Sequence, residues 1–206
     1  MNATASFNGA PVAGTFTYTP PAGTLLNAGQ GQTLSVVFTP SNPGFASATA
    51  TATINVIPTP GAMEGAGQTD AGGLRYEFSF HVRERATGAE RGSLRFEVER
   101  NGRETRANQV GMFVSTAIAP VVFSDNPALK PGRHSQPVID TATFSGVGTW
   151  KGVAGYSFTA VASDAGEPGR GRDLLAVTVH DPHGVIVAIF NGVISEGNIQ
   201  SSRVKR

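Results

Sequence analysis

Apolar residues alternate with Thr and Ser over most of the first quarter of the chain. In "GTFTYT", "QTLSVVFTP" and "SATATATINVI", all within residues 1–57, every second side chain falls on one face, the period of a strand with one side buried. No period of 3.6 competes with it. The segments between them, "PPAGTLLNAGQG" and "PSNPGF", supply the Pro, Gly and Asn that turns require. Thr suits the polar face because branching at Cβ is better tolerated on a pleated surface than in a helix.

From Gly73 the alternation continues with charge on the polar side. "LRYEFSFHVRE", "GSLRFEVER", "GMFVSTAIAPVVFS", "PVIDTATFSGVGTW", "GYSFTAVASD", "DLLAVTVHD" and "GVIVAIFNGVIS" read as strands separated by turn-rich pieces such as "RATGAERG", "NGRETRANQV" and "NPALKPGRHSQ". Leu74, Tyr76, Phe78, Phe80 and Val82 share one face, with Arg75, Glu77, Ser79, His81 and Arg83 on the other. Leu94, Phe96 and Val98 alternate with Arg95, Glu97 and Glu99 in the same way. The pattern predicts an all-β chain of two tandem antiparallel β-sandwich domains, with minimal helix.

Charge locates the division. No Asp, Glu, Lys or Arg occurs from Met1 to Met63, and every charged residue lies between Glu64 and Arg206. In "INVIPTPGAMEGAGQTDAGG" a strand-like run ends at Ile57; Pro58 and Pro60 then remove backbone donors and glycines follow. Residues 58–72 are therefore expected to be a Pro/Gly linker between a domain at 1–57 and one at 73–206. The 206 residues, 39% hydrophobic and 8% aromatic, suffice for packed cores. With 16 basic and 15 acidic residues, net +1, nucleic acid has no electrostatic claim as a partner. No window approaches the roughly 18–20 apolar residues of a spanning helix, and the N-terminus lacks a basic segment before an apolar core, so neither membrane insertion nor an export signal is expected. The absence of Cys excludes disulfides, thiolate metal sites and a Cys nucleophile.

The succession "NATASFNGAPVAGTFTYTPPAGTLLNAGQGQTLSVVFTPSNPGFASATATATINV", residues 2–56, resembles the bacterial immunoglobulin-like repeats strung together in large secreted and cell-surface proteins. Members usually have a further strand or two before the point where this chain begins. The resemblance therefore implies a first sandwich truncated at its N-terminus, with an open sheet edge, and a spacer or adhesive role without chemistry. Residues 73–200 resemble the post-COAP module of bacterial exported proteins. "YEFSFHVRE", "GSLRFEV", "FSGVGTWKGVAGYSFTAVASDAGEPGRGRDLLAVTV" and the closing "GNIQ" carry that likeness. It implies fold and an extracellular or cell-surface location more than an activity.

Candidate chemistry is sparse. "DAGEPGRGRD" offers Asp164, Glu167 and Asp173 as hard oxygen donors, and a glycine-rich loop folded around them would suit calcium, which takes about 6–8 oxygens. The spacing is not that of an EF-hand, and Arg170 and Arg172 would set positive charge beside the ion. The alternative is a structural turn: Pro168 fixes φ, the glycines accept positive φ, and the aspartates accept backbone N–H bonds. "HDPHG", residues 180–184, offers two imidazoles and a carboxylate, which a hairpin turn explains without zinc. His81 and His134 stand alone, without a nucleophile motif. Glu77, Glu97 and Glu99 fit a solvated strand face better than a glycosidase pair. Trp150 is a candidate for stacking on a sugar ring, or else a core plug. Arg203, Lys205 and Arg206 form a short basic tail. The expectation is a non-enzymatic structural or adhesive module of a bacterial secreted or surface protein, without cofactor, whose partners are other surface proteins or cell-surface glycan. The alternative is a calcium-assisted glycan-binding module.

Overall fold

The computed structural model describes residues 2–100, 109–126, 128–129 and 139–202. His134, Arg203, Lys205, Arg206 and residues 101–108 of the turn-rich piece "NGRETRANQV" lie outside them. The described residues form strands and no helix. The chain divides into two compact units, Met1–Ile57 and Pro58–Arg206.

In the first unit a short hairpin, β1 (Ser6–Phe7) with β2 (Ala10–Pro11), precedes an antiparallel sheet of β3 (Gly14–Thr19), β4 (Gly29–Pro40) and β5 (Ala48–Val56), in the order β3-β4-β5. The register sets Phe16 against Phe38 and Phe38 against Ala48, then Tyr18 against Val36 and Val36 against Ala50. One face is thus apolar, and the Phe16 and Phe38 rings meet at 4.8 Å. The other face carries Thr15, Thr17 and Thr19, then Thr33, Ser35 and Thr39, then Thr49, Thr51 and Thr53. The alternation reads the faces correctly, but burial falls short of expectation: Phe38 is the one core-buried apolar side chain among the described residues of this unit. No second full sheet covers the apolar face among those residues, which leaves a groove of about 790 Å³ lined by Phe7, Phe16, Val36, Phe38, Phe45 and Ala50.

The second unit is a single nine-stranded antiparallel sheet. Its strands are β6 (Gly61–Ala71), β7 (Leu74–Glu84), β8 (Glu90–Arg100), β9 (Gln109–Ser124), β10 (Thr141–Trp150), β11 (Val153–Ser163), β12 (Leu174–His180), β13 (Ile186–Val193) and β14 (Glu196–Ser202). They meander from β6 to β13, and β14 returns to pair with β6 on the opposite side from β7. On a flat sheet β7 and β13, six steps apart, would be separated by roughly 29 Å. Yet Tyr76 of β7 and Phe190 of β13 touch, ring to ring, at 5.0 Å. Phe80 of β7 likewise reaches Phe144 of β10 at 5.3 Å. The sheet therefore folds over on itself in sandwich-like fashion, and its inner faces share one core that includes Phe96, Phe113, Phe144, Phe158 and Ile199. Its two end strands, β13 and β14, are consecutive in the chain and close the roll through Ile194 and Ser195. Ser195 Oγ donates to the Gln68 carbonyl at 3.1 Å across that seam.

The expected linker at 58–72 requires correction. Gly61–Ala71 is strand β6, paired on both sides, and Met63 within it is 1% exposed. The glycines that suggested a linker are places of close approach. A Cβ at Gly67 would collide with the Glu196 carbonyl, and one at Gly65 would press on Phe80 and Ile199. Only residues 57–60 separate the last strand of the first unit from the first of the second.

Candidate functional site

The "DAGEPGRGRD" loop runs from the end of β11 to the start of β12; its two aspartates turn inward, while Glu167 is exposed. Asp173 is fully buried: Oδ1 accepts the Ala165 N–H at 2.9 Å and Oδ2 accepts the Ile199 N–H at 2.7 Å. Asp164 Oδ1 accepts the Gly166 N–H at 3.0 Å, while Oδ2 accepts both the N–H and the hydroxyl of Ser201 at 2.8 and 2.9 Å. Ile199 and Ser201 are two residues apart on β14, so their N–H groups emerge on one strand edge. Among the described residues no neighbouring strand takes those donors. The two aspartates stand in for the missing strand and satisfy an edge that would otherwise be left unpaired.

The rest of the loop completes a clasp across the seam. Glu167 Oε1 accepts from Asn198 Nδ2 at 3.1 Å, and Asn198 Oδ1 accepts the Gly169 N–H at 3.0 Å. Arg170 Nε donates to the Ser195 carbonyl at 3.0 Å, and the Gly171 N–H to that of Ile194 at 2.9 Å. Gly169 is required by space: a Cβ there would collide with Asp173 Oδ2 and Asn198 Oδ1. Each of the three candidate calcium ligands thus has a carboxylate oxygen engaged by the protein. Among the described residues no group of three His, Asp or Glu side chains is placed to hold an ion together.

Burial governs the electrostatics at this end of the second unit. Desolvation pushes the Asp173 carboxyl above its ordinary value, with lesser contributions from the charges of Asp164 and Glu167, against the pull of the Ile199 and Ala165 amides. Glu84, Glu90 and Asp140, also at strand ends, are likewise raised, chiefly by burial. Glu84 accepts the Thr59 N–H at 2.9 Å, and Asp140 that of Asn126 at 2.8 Å. Glu90 Oε1 is buried with no hydrogen-bond partner among the described residues. A carboxyl whose folded pKa is raised binds more protons in the native state, so its contribution to stability is full below the unfolded pKa and is lost as pH rises through the folded one. The melting temperature of the second unit is accordingly expected to rise on acidification from neutrality toward pH ~5, approaching the ordinary carboxylate range. A fall over that interval in a pH series of thermal melts would contradict the raised values.

The remaining candidates resolve into structural parts. Trp150 is 7% exposed and belongs to the core, its indole lying over Gly111, where a Cβ would overlap the ring. It presents no open face to a sugar. Asp181 Oδ1 accepts the N–H groups of His183 and Val185 at 2.8 and 2.9 Å, and Gly184 has φ +81°, which makes "HDPHG" a turn. His81 Nδ1 lies 2.9 Å from Ser93 Oγ, with Glu64 as the cross-strand neighbour of His81. All three sit on an exposed sheet face. The register sets Glu77 opposite Glu97, like charge to like, and Arg75 opposite Glu99. Glu97 is bound by Arg95 at 2.8 Å.

A surface that sequence inspection passed over lies on the outside of the sheet. Strands β9 to β13 contain no Asp, Glu, Lys or Arg, whereas β7 and β8 carry them on most outward positions. Register aligns Val147, Ser157, His180 and Ile186 in one row and Thr159, Thr178 and Ile189 in the next. Val147 is 51% exposed, Ile186 52% and Ile189 55%. The signal was present in the charge pattern, but only the strand order makes the five strands neighbours. Comparison of the chain with family models, characterised proteins and solved structures yields no match.

Proposed function

We propose that the chain is a non-enzymatic structural or adhesive module of a bacterial secreted or cell-surface protein, an immunoglobulin-like repeat followed by a post-COAP-like module. The observation that carries the reading is the uncharged outer face of β9 to β13, where Val147, Ile186 and Ile189 stand exposed among Thr and Ser. Such a face suits contact with another surface protein, because burying it leaves no charge without a partner. Two of the stretches that carry the likeness of the second half also support it: "GEPGRGRD" and "GNIQ" hold each other through Gly169, Asp173, Asn198 and Ile199. Ile186→Lys with Ile189→Lys is expected to abolish binding of the labelled chain to bacterial envelope fragments while leaving its melting temperature unchanged. Equal binding would remove this face from the contact.

The calcium-assisted alternative is separated by one melt. Because a ligand that binds only the folded state stabilises it, excess calcium and EDTA are expected to give the same midpoint. A calcium-dependent rise lost in Asp164→Asn would instead make the loop a metal site.

A further inference from the structure

We propose that strand β5 is a homotypic pairing edge, at which a second copy of this chain adds its own β5 antiparallel across a two-fold axis. The inference does not depend on the adhesive reading, since any chain with this edge would self-associate.

The hydrogen-bonding capacity of the edge dictates the kind of occupant. β5 is the last strand of its sheet, pairing with β4 on one side and with no strand of the described residues on the other. An edge of free N–H and C=O groups is complementary to another extended strand. The opposite edge, β3, is blunted: it has six residues and lies between Pro11 and Pro20. β5 has nine residues, "ATATATINV", with no Pro, Gly or charge, and no charged residue occurs anywhere in residues 1–63. Proline and charge, two of the usual devices against edge pairing, are absent from β5, and the one irregularity in its ladder with β4 falls at its C-terminal end, between Ile54 and Val56.

Register favours self-pairing. Antiparallel partners directly opposite each other share a face, so only registers whose residue numbers sum to an even value keep apolar against apolar. Pairing centred on Ala52 uses the whole strand. It sets Ala48 against Val56 and Ala50 against Ile54, with Ala52 against its own copy, on the face continuous with Phe38 and Val36. It sets Thr49 against Asn55 and Thr51 against Thr53 on the other face. The contact is isologous, closes at two copies and extends the three-stranded sheet to six.

Two kinds of variant test it in the full chain. Light scattering across a concentration series is expected to show the mass doubling from 21.3 kDa. Thr51→Lys/Thr53→Lys, on the exposed face, sets like charges opposite each other and is expected to hold the chain monomeric. Thr51→Lys/Thr53→Glu sets opposite charges across the axis and is expected to restore the dimer. Since the chain has no Cys, Ala52→Cys reports register under mild oxidation and is expected to give a disulfide-linked dimer. Ala50→Cys, whose copy lies four residues away or roughly 13 Å, is expected not to. This second comparison decides the matter even if the lysines unfold the first unit. A chain that stays at 21.3 kDa at all concentrations, or equal cross-linking of both Cys variants, overturns the proposal.

Discussion

Asp173→Ala is expected to lower the stability of the second unit by about 2–4 kcal/mol, because it strands the buried Ile199 N–H, at about 1–3 kcal/mol, and the part-buried Ala165 N–H, at the lower end of that range. Those donors are the amides of Ala165 and Ile199, bound at 2.9 and 2.7 Å by a carboxylate with no exposed surface. Ile199 is itself fully buried in the core and sits on the strand that closes the roll, so the loss falls on the seam between the sheet ends rather than on a loop that can fray. Asp173→Asn, which keeps one acceptor oxygen and turns an amide toward the other donor, is expected to cost about half as much. Gly169→Val should approach the alanine variant, since its side chain displaces both Asp173 and Asn198. Asp164→Asn, in a partly buried position, is expected to cost least. Urea titration followed by the fluorescence of the lone Trp orders the four. If Asp164→Asn proved the most damaging, the clasp described for Asp173 would be misassigned.

The sheet faces were legible because alternation reports them directly. "LRYEFSFHVRE" coincides with β7 from Leu74 to Glu84, and of its predicted inner face Tyr76, Phe78, Phe80 and Val82 are buried while Leu74, at the strand's start, is half-buried. Strand β6 was not legible: Gly61, Gly65 and Gly67 look like linker composition, and their use against Phe123, Phe80 and the Glu196 carbonyl depends on partners far along the chain. The same distance hid the role of the acidic loop. Asp at a strand end promised a backbone partner, and Ala165 is local, but Ile199 lies 26 residues on. Alternation also says which residues share a face without saying what covers it. In the first unit it selected Phe16, Val36 and Phe38 correctly, and yet the groove beside them stands open.

Trp150→Ala is expected to cost about 3–5 kcal/mol, the usual penalty for removing a large aromatic from a packed core. The residue ends β10 just before the turn at Lys151 and Gly152, with Phe113 of β9 and Val153 of β11 as register partners. Its six-membered ring lies where a side chain at position 111 would be, so the indole and Gly111 are two halves of one fit. Gly111→Val is therefore expected to destabilise as well, by at least about 1–3 kcal/mol, through overpacking against a side chain enclosed by neighbours. The native emission of this single Trp should be blue-shifted and move to the red on unfolding, because it is 7% exposed when folded. A sugar-stacking Trp on an open surface predicts the contrary on every count: red native emission, and an alanine variant within about 0.5 kcal/mol of the parent. Circular dichroism melts of the alanine variant, together with emission spectra of the parent, therefore decide whether the aromatic at the end of β10 holds the roll together or is available to a ligand.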